Sequence, residues 1–203
     1  SALADGCKSV GSPQVRNMAT LVGNVVNAQP AADGAVALLA LGAEAEILSV
    51  LGRRKELIEN LYVGVGKSMV DPSRELITRL IIKLPEGPFG TAFARYAPRE
   101  AQSLPLVNTA VWLTANSGRI MNVRIVMGPV ATHPLRALDA ERILMDADLN
   151  DTRIFQVAAK TAALEAQPRD SLLRGSRQYR RILVSDLVEK ALKTAAGQAK
   201  GRV

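Results

Sequence analysis

A proline-rich break near the middle of the chain constrains its fold more than any other feature of the sequence. The segment Leu84-Pro85-Glu86-Gly87-Pro88 holds two prolines and a glycine within five residues. Proline lacks a backbone N–H and glycine favours turns, so neither a helix nor a strand is expected to continue through it. We therefore predict two parts, residues 1–87 and 88–203, each long enough to bury a core.

The sequence pattern of the first part predicts short helices and strands joined by turns. Residues 35–41 form an apolar run after the Asp33-Gly34 turn and predict a helix. Residues 43–50 and 54–58 flank Leu51-Gly52-Arg53, which is typical of a hairpin. Residues 75–84 alternate between apolar and polar positions and predict a half-buried strand. Its expected inner face consists of Leu76, Leu80, Ile82 and Leu84.

The second part predicts a sheet followed by helices. Strands are expected at residues 91–96, 106–114 and 119–127, with Asn116-Ser117-Gly118 as the hairpin turn before the third. Met121, Val123, Ile125 and Met127 alternate in that strand, which places them in the core. Helices are expected over residues 135–145 after Pro134, over 153–166 with Asp151 or Thr152 as cap, and from Ser176 to about Ala195. The pattern predicts an α+β fold with a three-stranded antiparallel sheet and three helices in this part.

The composition excludes several classes of protein. Hydrophobic residues make up 48% of the chain and charged residues 22%, as in ordinary globular proteins. No signal peptide is evident, and no run approaches the roughly 18 apolar residues that span a bilayer. The net charge is +7, but the basic residues are scattered and aromatic residues make up only 3%, which argues against nucleic-acid binding. The single cysteine, Cys7, excludes an internal disulfide and indicates a reducing, cytoplasmic location, with the residue itself more typical of a core than of a reactive thiol.

Three isolated features give little indication of function. His133 is the only histidine and precedes a proline, which favours a structural hydrogen bond over catalysis or a zinc site. Gly64-Val65-Gly66-Lys67-Ser68 lacks the spacer of a phosphate-binding P-loop. Arg174, Arg180 and Arg181 could bind an acidic partner, or could simply mark a solvated helix start with an internal ion pair.

The polar segment at residues 12–33 carries the strongest functional signal. It shows little helical or strand periodicity, which predicts an irregular loop. Gly23 allows close backbone approach to a ligand, Thr20, Asn24 and Asn27 offer short polar groups, and Asp33 can accept from a sugar hydroxyl. The alternative is a turn-rich loop whose polar side chains only satisfy its own backbone.

This segment also resembles a cofactor-binding motif. Arg16-Asn17, then Thr20-Leu21-Val22-Gly23-Asn24, then Ala28-Gln29-Pro30-Ala31-Ala32-Asp33 are similar to the second FAD-contacting segment of the vanillyl-alcohol-oxidase-type flavin domain in molybdenum hydroxylases. The similarity continues through Gly64-Val65-Gly66-Lys67 and Glu75-Leu76-Ile77-Thr78. In the second part, the family's small C-terminal domain is resembled by Val107-Asn108-Thr109-Ala110-Val111, Gly128-Pro129-Val130-Ala131 and Tyr179-Arg180-Arg181.

The resemblance implies an FAD-binding electron-transfer subunit of a molybdenum hydroxylase-type oxidoreductase, as in xanthine dehydrogenase and carbon monoxide dehydrogenase. Residues 1–87 would be the second subdomain of the FAD domain, and residues 88–203 the C-terminal domain of the carbon monoxide dehydrogenase flavoprotein type. The expected partners are a large subunit with the molybdenum cofactor and a small [2Fe-2S] subunit, with NAD or another acceptor taking the electrons. No catalytic residue or metal ligand is expected in this chain. The residues implied to contact FAD are Thr20, Gly23, Asn24, Asn27, Asp33, Ile77 and Arg95.

Two departures from the family leave an alternative open. The glycine-rich first subdomain, which cradles the FAD pyrophosphate in the family, is expected to be missing, so the chain is N-terminally truncated in this comparison. Val22 replaces a family glycine at a position where we expect a positive φ or a close backbone approach. The alternative is a flavin-free structural or interaction module that retains the fold.

Overall fold

A computed structural model describes residues 1–99, 101–172 and 175–201. The first part begins with four short helices and continues into strands. Strands β1, β2 and β5 form an antiparallel sheet in the order β2-β1-β5, and β3 and β4 form a small hairpin. The elements are α1 (Ala2–Lys8), α2 (Pro13–Met18), α3 (Leu21–Val26), α4 (Asp33–Ala40), β1 (Glu44–Ser49), β2 (Gly52–Leu57), a 3-10 turn (Ile58–Leu61), β3 (Tyr62–Gly64), β4 (Lys67–Ser68) and β5 (Glu75–Ile81).

The second part is an antiparallel sheet covered by three helices. The sheet runs in the order β6-β7-β8-β9, and its elements are β6 (Phe89–Tyr96), β7 (Val107–Asn116), β8 (Arg119–Gly128), β9 (Leu135–Arg136), α5 (Leu138–Leu144), α6 (Thr152–Glu165) and α7 (Arg177–Lys200). The predicted α+β fold is confirmed, with one addition. Residues after Pro134 pair with Val126 and Met127 as β9 before α5 begins, because the β8 edge offers free backbone groups there.

The second sheet is buried on both faces. On one face Leu113 and Ile125 belong to a core shared with α5, α6 and α7, which includes Phe155 of α6. On the other face Ala110 and Val126 pack with α4, all eight residues of which are buried. Because α4 belongs to the first part of the chain, the two parts share an apolar layer.

Two β-bulges overturn predicted inner faces. In β5 the register with β1 shifts at Glu46/Ile47, so Ile77 turns inward with 5% exposure while Leu76 is 63% exposed. In β8 the register shifts at Thr114/Ala115, so Ile120 is buried and Met121 is 45% exposed. The predictions for Leu76 and Met121 are therefore wrong, because one extra residue reverses the alternation beyond it.

The prediction of an irregular loop at residues 12–33 is also wrong, because this segment contains α2 and α3. The Ser12 hydroxyl accepts from the Val15 N–H with Pro13 in the first turn, and the Thr20 hydroxyl accepts from the Gly23 N–H at 2.9 Å. Helices of six residues are too short to show periodicity, but these caps are local signals. Val22 lies within α3 and its φ is not positive, so the first of the two expectations at this position, a positive φ, is wrong.

None of the helices in the described ranges is both long and apolar enough to cross a membrane.

Candidate functional site

A cleft of about 1100 Å³ opens where the two parts of the chain meet. The first part supplies the end of α3 and the connection to α4. The second part supplies the end of β6 and the loops around residues 129–135 and 167–171. Its volume lies just above the usual range of about 300–1,000 Å³ for ligand pockets, which suits a large cofactor.

Asp33, the first residue of α4, is the most buried carboxylate on the wall of this cleft, at 5% exposure. Its Oδ1 accepts a hydrogen bond from Asn108 Nδ2 at 2.5 Å, and its Oδ2 lies 3.4 Å from Arg95 Nε. Burial raises the pKa of Asp33 above its usual value, and the Asn108 hydrogen bond and the Arg95 charge oppose that rise. Burial of the Asp33 carboxyl group thus favours its neutral form, whereas Asn108 and Arg95 favour its ionised form.

Arg95 connects Asp33 to the loop between β6 and β7. Its Nη2 donates to the Ser103 carbonyl, while its buried Nε has no hydrogen-bond partner of good geometry in the described part of the chain. The guanidinium therefore lies at the cleft wall with donor capacity that is not fully used.

Two of the predicted contacts bond to the chain's own backbone. Asn24 Oδ1 accepts from the Ala35 N–H at 3.0 Å, which joins α3 to the first turn of α4. The two helices approach so closely that a Cβ on Gly34 would lie 2.9 Å from that same oxygen. The Thr20 hydroxyl oxygen caps α3 at Gly23 in the same way. These two oxygens therefore stabilise the loop first, whatever else they contact.

Asn27 differs from them because its side chain is exposed on the cleft and makes no hydrogen bond to any described residue. The next residue, Ala28, has φ +47, which is the left-handed region that a non-glycine residue seldom adopts. The Ala28 carbonyl accepts from the Gly66 N–H at 3.0 Å in the β3–β4 turn. The stretch from Gly64 to Ser68 is therefore a hairpin that supports the cleft loop, and it lacks the helix of a P-loop.

The structure brings together four of the seven predicted contacts. Asn24, Asn27, Asp33 and Arg95 line the cleft, whereas Thr20, Gly23 and Ile77 do not. Ile77 is buried in the core of the first part, on β5. Sequence reasoning missed Asn108, a side chain with no exposure, although a polar residue at an inward strand position was an available signal.

The remaining candidates have structural surroundings. Arg180 is buried and donates to the carbonyls of Leu106 and Pro129, and Arg181 donates to the Ala166 carbonyl at 3.1 Å. Arg174 lies outside the described residues. His133 is exposed on the cleft with Nδ1 3.3 Å from the Thr132 hydroxyl, and burial raises the pKa of Cys7, the opposite of what a reactive thiolate needs. No cluster of potential metal ligands occurs among the residues described.

The cleft wall fits an anionic group that carries hydroxyls. Arg95, Arg169 and Arg180 contribute positive charge, and Asn27 offers a free amide. Asp33 adds a carboxylate that can accept from a hydroxyl group. These groups suit a phosphate-linked dinucleotide, which needs donors for phosphate and polar groups for sugar.

Comparison with known proteins identifies the family. Residues 1–85 match the FAD binding domain in molybdopterin dehydrogenase, and residues 92–195 match the CO dehydrogenase flavoprotein C-terminal domain. The chain is 31% identical over 196 residues to the nicotine 6-hydroxylase medium subunit of Paenarthrobacter nicotinovorans, covering 97% of this chain and 67% of that one. It is 28% identical over 202 residues to the xanthine dehydrogenase FAD-binding subunit of Escherichia coli O157:H7, covering 100% of this chain and 68% of that one.

Solved structures show the same fold. A reconstituted CO dehydrogenase from Oligotropha carboxidovorans superposes with a TM-score of 0.86 at 26% identity, covering 94% of this chain and 65% of that one. Quinoline 2-oxidoreductase from Pseudomonas putida 86 gives a TM-score of 0.84 at 27% identity with the same coverage. The chain spans about two thirds of the length of these relatives. It belongs to the molybdenum hydroxylase family, as a member of the group of FAD-binding medium subunits.

Proposed function

We propose that the chain binds FAD in the cleft between its two parts and serves as the electron-transfer subunit of a molybdenum hydroxylase-type oxidoreductase. The observation that carries the proposal is the convergence of Asn24, Asn27, Asp33 and Arg95 on one cleft. Arg95 comes from a different part of the chain than the other three. FAD, when bound, would collect electrons singly from an iron–sulfur centre and pass them in pairs to NAD or another acceptor.

The chain's own residues would bind and orient the cofactor. Asn27 would donate from its free amide, Asp33 would accept from a hydroxyl group, and Arg95 would balance negative charge. Asn24 would hold α3 in place against α4. The contacts expected from Thr20, Gly23 and Ile77 would need the cofactor to extend beyond the cleft wall, and they remain predictions.

A larger complex is part of the proposal. One relative is named a medium chain of carbon monoxide dehydrogenase, and another a subunit of the 6-hydroxypseudooxynicotine dehydrogenase complex. We therefore propose a large molybdenum-cofactor subunit and a small [2Fe-2S] subunit as partners, in the cytoplasm. The substrate would be set by the molybdenum subunit.

The second candidate is a flavin-free structural or interaction module. It is favoured by one observation: the side-chain oxygens of Thr20 and Asn24 already accept from backbone N–H groups of the chain itself. Under this hypothesis the loop keeps its shape without a ligand, and the cleft serves no cofactor.

An FAD titration separates the two candidates. We expect the purified protein to quench FAD fluorescence and to show flavin absorption bands. Asn27→Ala should weaken the affinity about five- to tenfold, because one hydrogen bond to the cofactor contributes about 1 kcal/mol. Asn60→Ala is the matched control, since Asn60 is exposed and lies outside the cleft. Absence of binding at about micromolar FAD, a range expected for a functional site, would favour the flavin-free module.

A further inference from the structure

Asn108 occupies a place where an apolar residue would pack at lower cost. The side chain has no exposure, and its Oδ1 is buried without a partner in the described part of the chain. The side chain is tightly packed, since a Cβ on Gly128 would lie 2.6 Å from that oxygen. A buried amide oxygen without a hydrogen-bond partner destabilises a fold. We therefore expect the amide nitrogen of Asn108 to have a specific role.

The amide nitrogen of Asn108 bonds Asp33, which lines the cleft. Its Nδ2 donates to Asp33 at 2.5 Å, across 75 positions of sequence and from one part of the chain to the other. This hydrogen bond favours the ionised form of Asp33, because an ionised carboxylate only accepts hydrogen bonds. Arg95, on the other oxygen, acts in the same direction. The carboxylate thus lies between a hydrogen-bond donor from β7 and a positive charge from β6.

We propose that Asn108 is a positioning residue of the cleft, which keeps Asp33 ionised and oriented for its contact with the cofactor. The role toward the cofactor rests on the proposed FAD site. The effect of Asn108 on Asp33 itself is a property of the protein alone.

Several charged and polar groups lie near the Asp33 carboxyl group. From β6, Arg95 is the one charged side chain within ion-pair distance among the residues described. The Ser9 hydroxyl after α1 donates to the Gly6 carbonyl at 2.7 Å and helps to lower the pKa of Asp33, and α3 presents the uncharged Asn24 amide to the neighbouring turn of α4. The charged or titratable residues elsewhere on the cleft wall are His133, Arg169, Asp170 and Arg180.

The direction of the pH effect follows from these contacts. Burial raises the pKa of Asp33, so its contribution to folding is fully present below the unfolded pKa of about 3.9 and is lost as the pH rises through the folded value. The Asn108 hydrogen bond opposes that loss. Asn108→Leu, whose side chain has the same branched shape but no donor, should therefore extend the loss to higher pH. The ratio of the variant's unfolding constant to that of the wild type should grow as the pH rises.

The experiment measures urea unfolding of wild type and Asn108→Leu from about pH 4 to about pH 8. We expect the ratio of unfolding constants to increase by about 10- to 100-fold over that range, the size of a hydrogen bond to a charged group. In an Asp33→Asn background the increase should disappear. Thr109→Val is the matched control, because Thr109 is the next buried polar residue on β7 and donates to the uncharged Val126 carbonyl at 3.0 Å. Its ratio should not vary with pH.

A ratio for Asn108→Leu that stays constant with pH would overturn the proposal and leave Asn108 a packing residue. If that variant does not fold, Asn108→Ala, which also lacks a side-chain donor, is measured in the same way with the same two outcomes. FAD affinity is then recorded against pH, and Asn108→Leu should shift the profile to higher pH while Thr109→Val leaves it in place. Wild type that fails to bind FAD refutes the proposed function without changing the unfolding result. A constant unfolding ratio with normal FAD binding refutes only the role of Asn108.

Discussion

The contact between β6 and α7 gives the sharpest stability prediction. Gly90 on β6 faces the backbone of α7, and a Cβ built on it would lie 1.8 Å from the Ala195 carbonyl oxygen and 2.6 Å from its carbonyl carbon. Real Cβ atoms essentially never come within 3.0 Å of such atoms, so the gap must widen by about 1.2 Å (3.0 − 1.8). The atoms involved are backbone, and no side-chain rotation can relieve the contact.

Gly90→Ala should therefore push α7 off the sheet, since Ala195 and its neighbours belong to the main core. Overpacking a core typically costs 1–3 kcal/mol, and we expect about 3 kcal/mol or more because backbone atoms must separate here, not the end of a flexible side chain. For a chain of this size that corresponds to a fall in Tm of about 6–12 °C.

The assay is urea and thermal unfolding of Gly90→Ala beside Gly197→Ala. Gly197 is exposed on α7, and a Cβ there would meet nothing within 4 Å. Alanine in an exposed helical position should raise stability by up to about 1 kcal/mol. The two variants should thus move in opposite directions. A Gly90→Ala protein within about 1 kcal/mol of wild type, with an unchanged denaturant slope, would refute the reasoning.

Two further predictions concern polar groups. Tyr62 buries a hydroxyl with no partner among the described residues, so Tyr62→Phe should stabilise the protein by about 1 kcal/mol in urea unfolding at neutral pH. Burial also raises the pKa of Tyr62, so wild-type stability should fall above about pH 10, and the Phe variant should lack this component; equal alkaline profiles would contradict it. Asp151 caps α6 by accepting from Arg153 N–H at 2.9 Å and Ile154 N–H at 3.3 Å. Asp151→Ala should lower the free energy of unfolding by about 1 kcal/mol, whereas Asp151→Asn should lose much less; similar losses would show that the cap is not the cause.

Local signals predicted most of the elements. The hairpin around Gly52, the cap at Asp151 and the cap at Ser176 each depend on residues adjacent in sequence, and each occurs as expected. The order of strands and then helices in the second part followed from the change in periodicity, and it too is confirmed. The caps at Ser12 and Thr20 were equally local, but they were outweighed by the missing periodicity of two very short helices.

Contacts distant in sequence account for what was missed. The inner face of β5 depends on where β1 pairs with it, and the bulge opposite Glu46 reverses Leu76 and Ile77. β9 forms because β8 has an open edge, which no pattern around Pro134 could reveal. Burial of α4 on every side depends on a sheet that begins some fifty residues later.

The candidate site divides in the same way. The sequence by itself determined its chemistry, because the order of asparagine, glycine and aspartate residues from Thr20 to Asp33 carries the family motif. Only the tertiary structure decided which of these groups face the cleft and which bond their own backbone. It also placed Asn108 and Arg95 beside Asp33. The physical reason is that a local motif fixes which groups are present, whereas burial and ion pairing depend on the atoms that folding brings together.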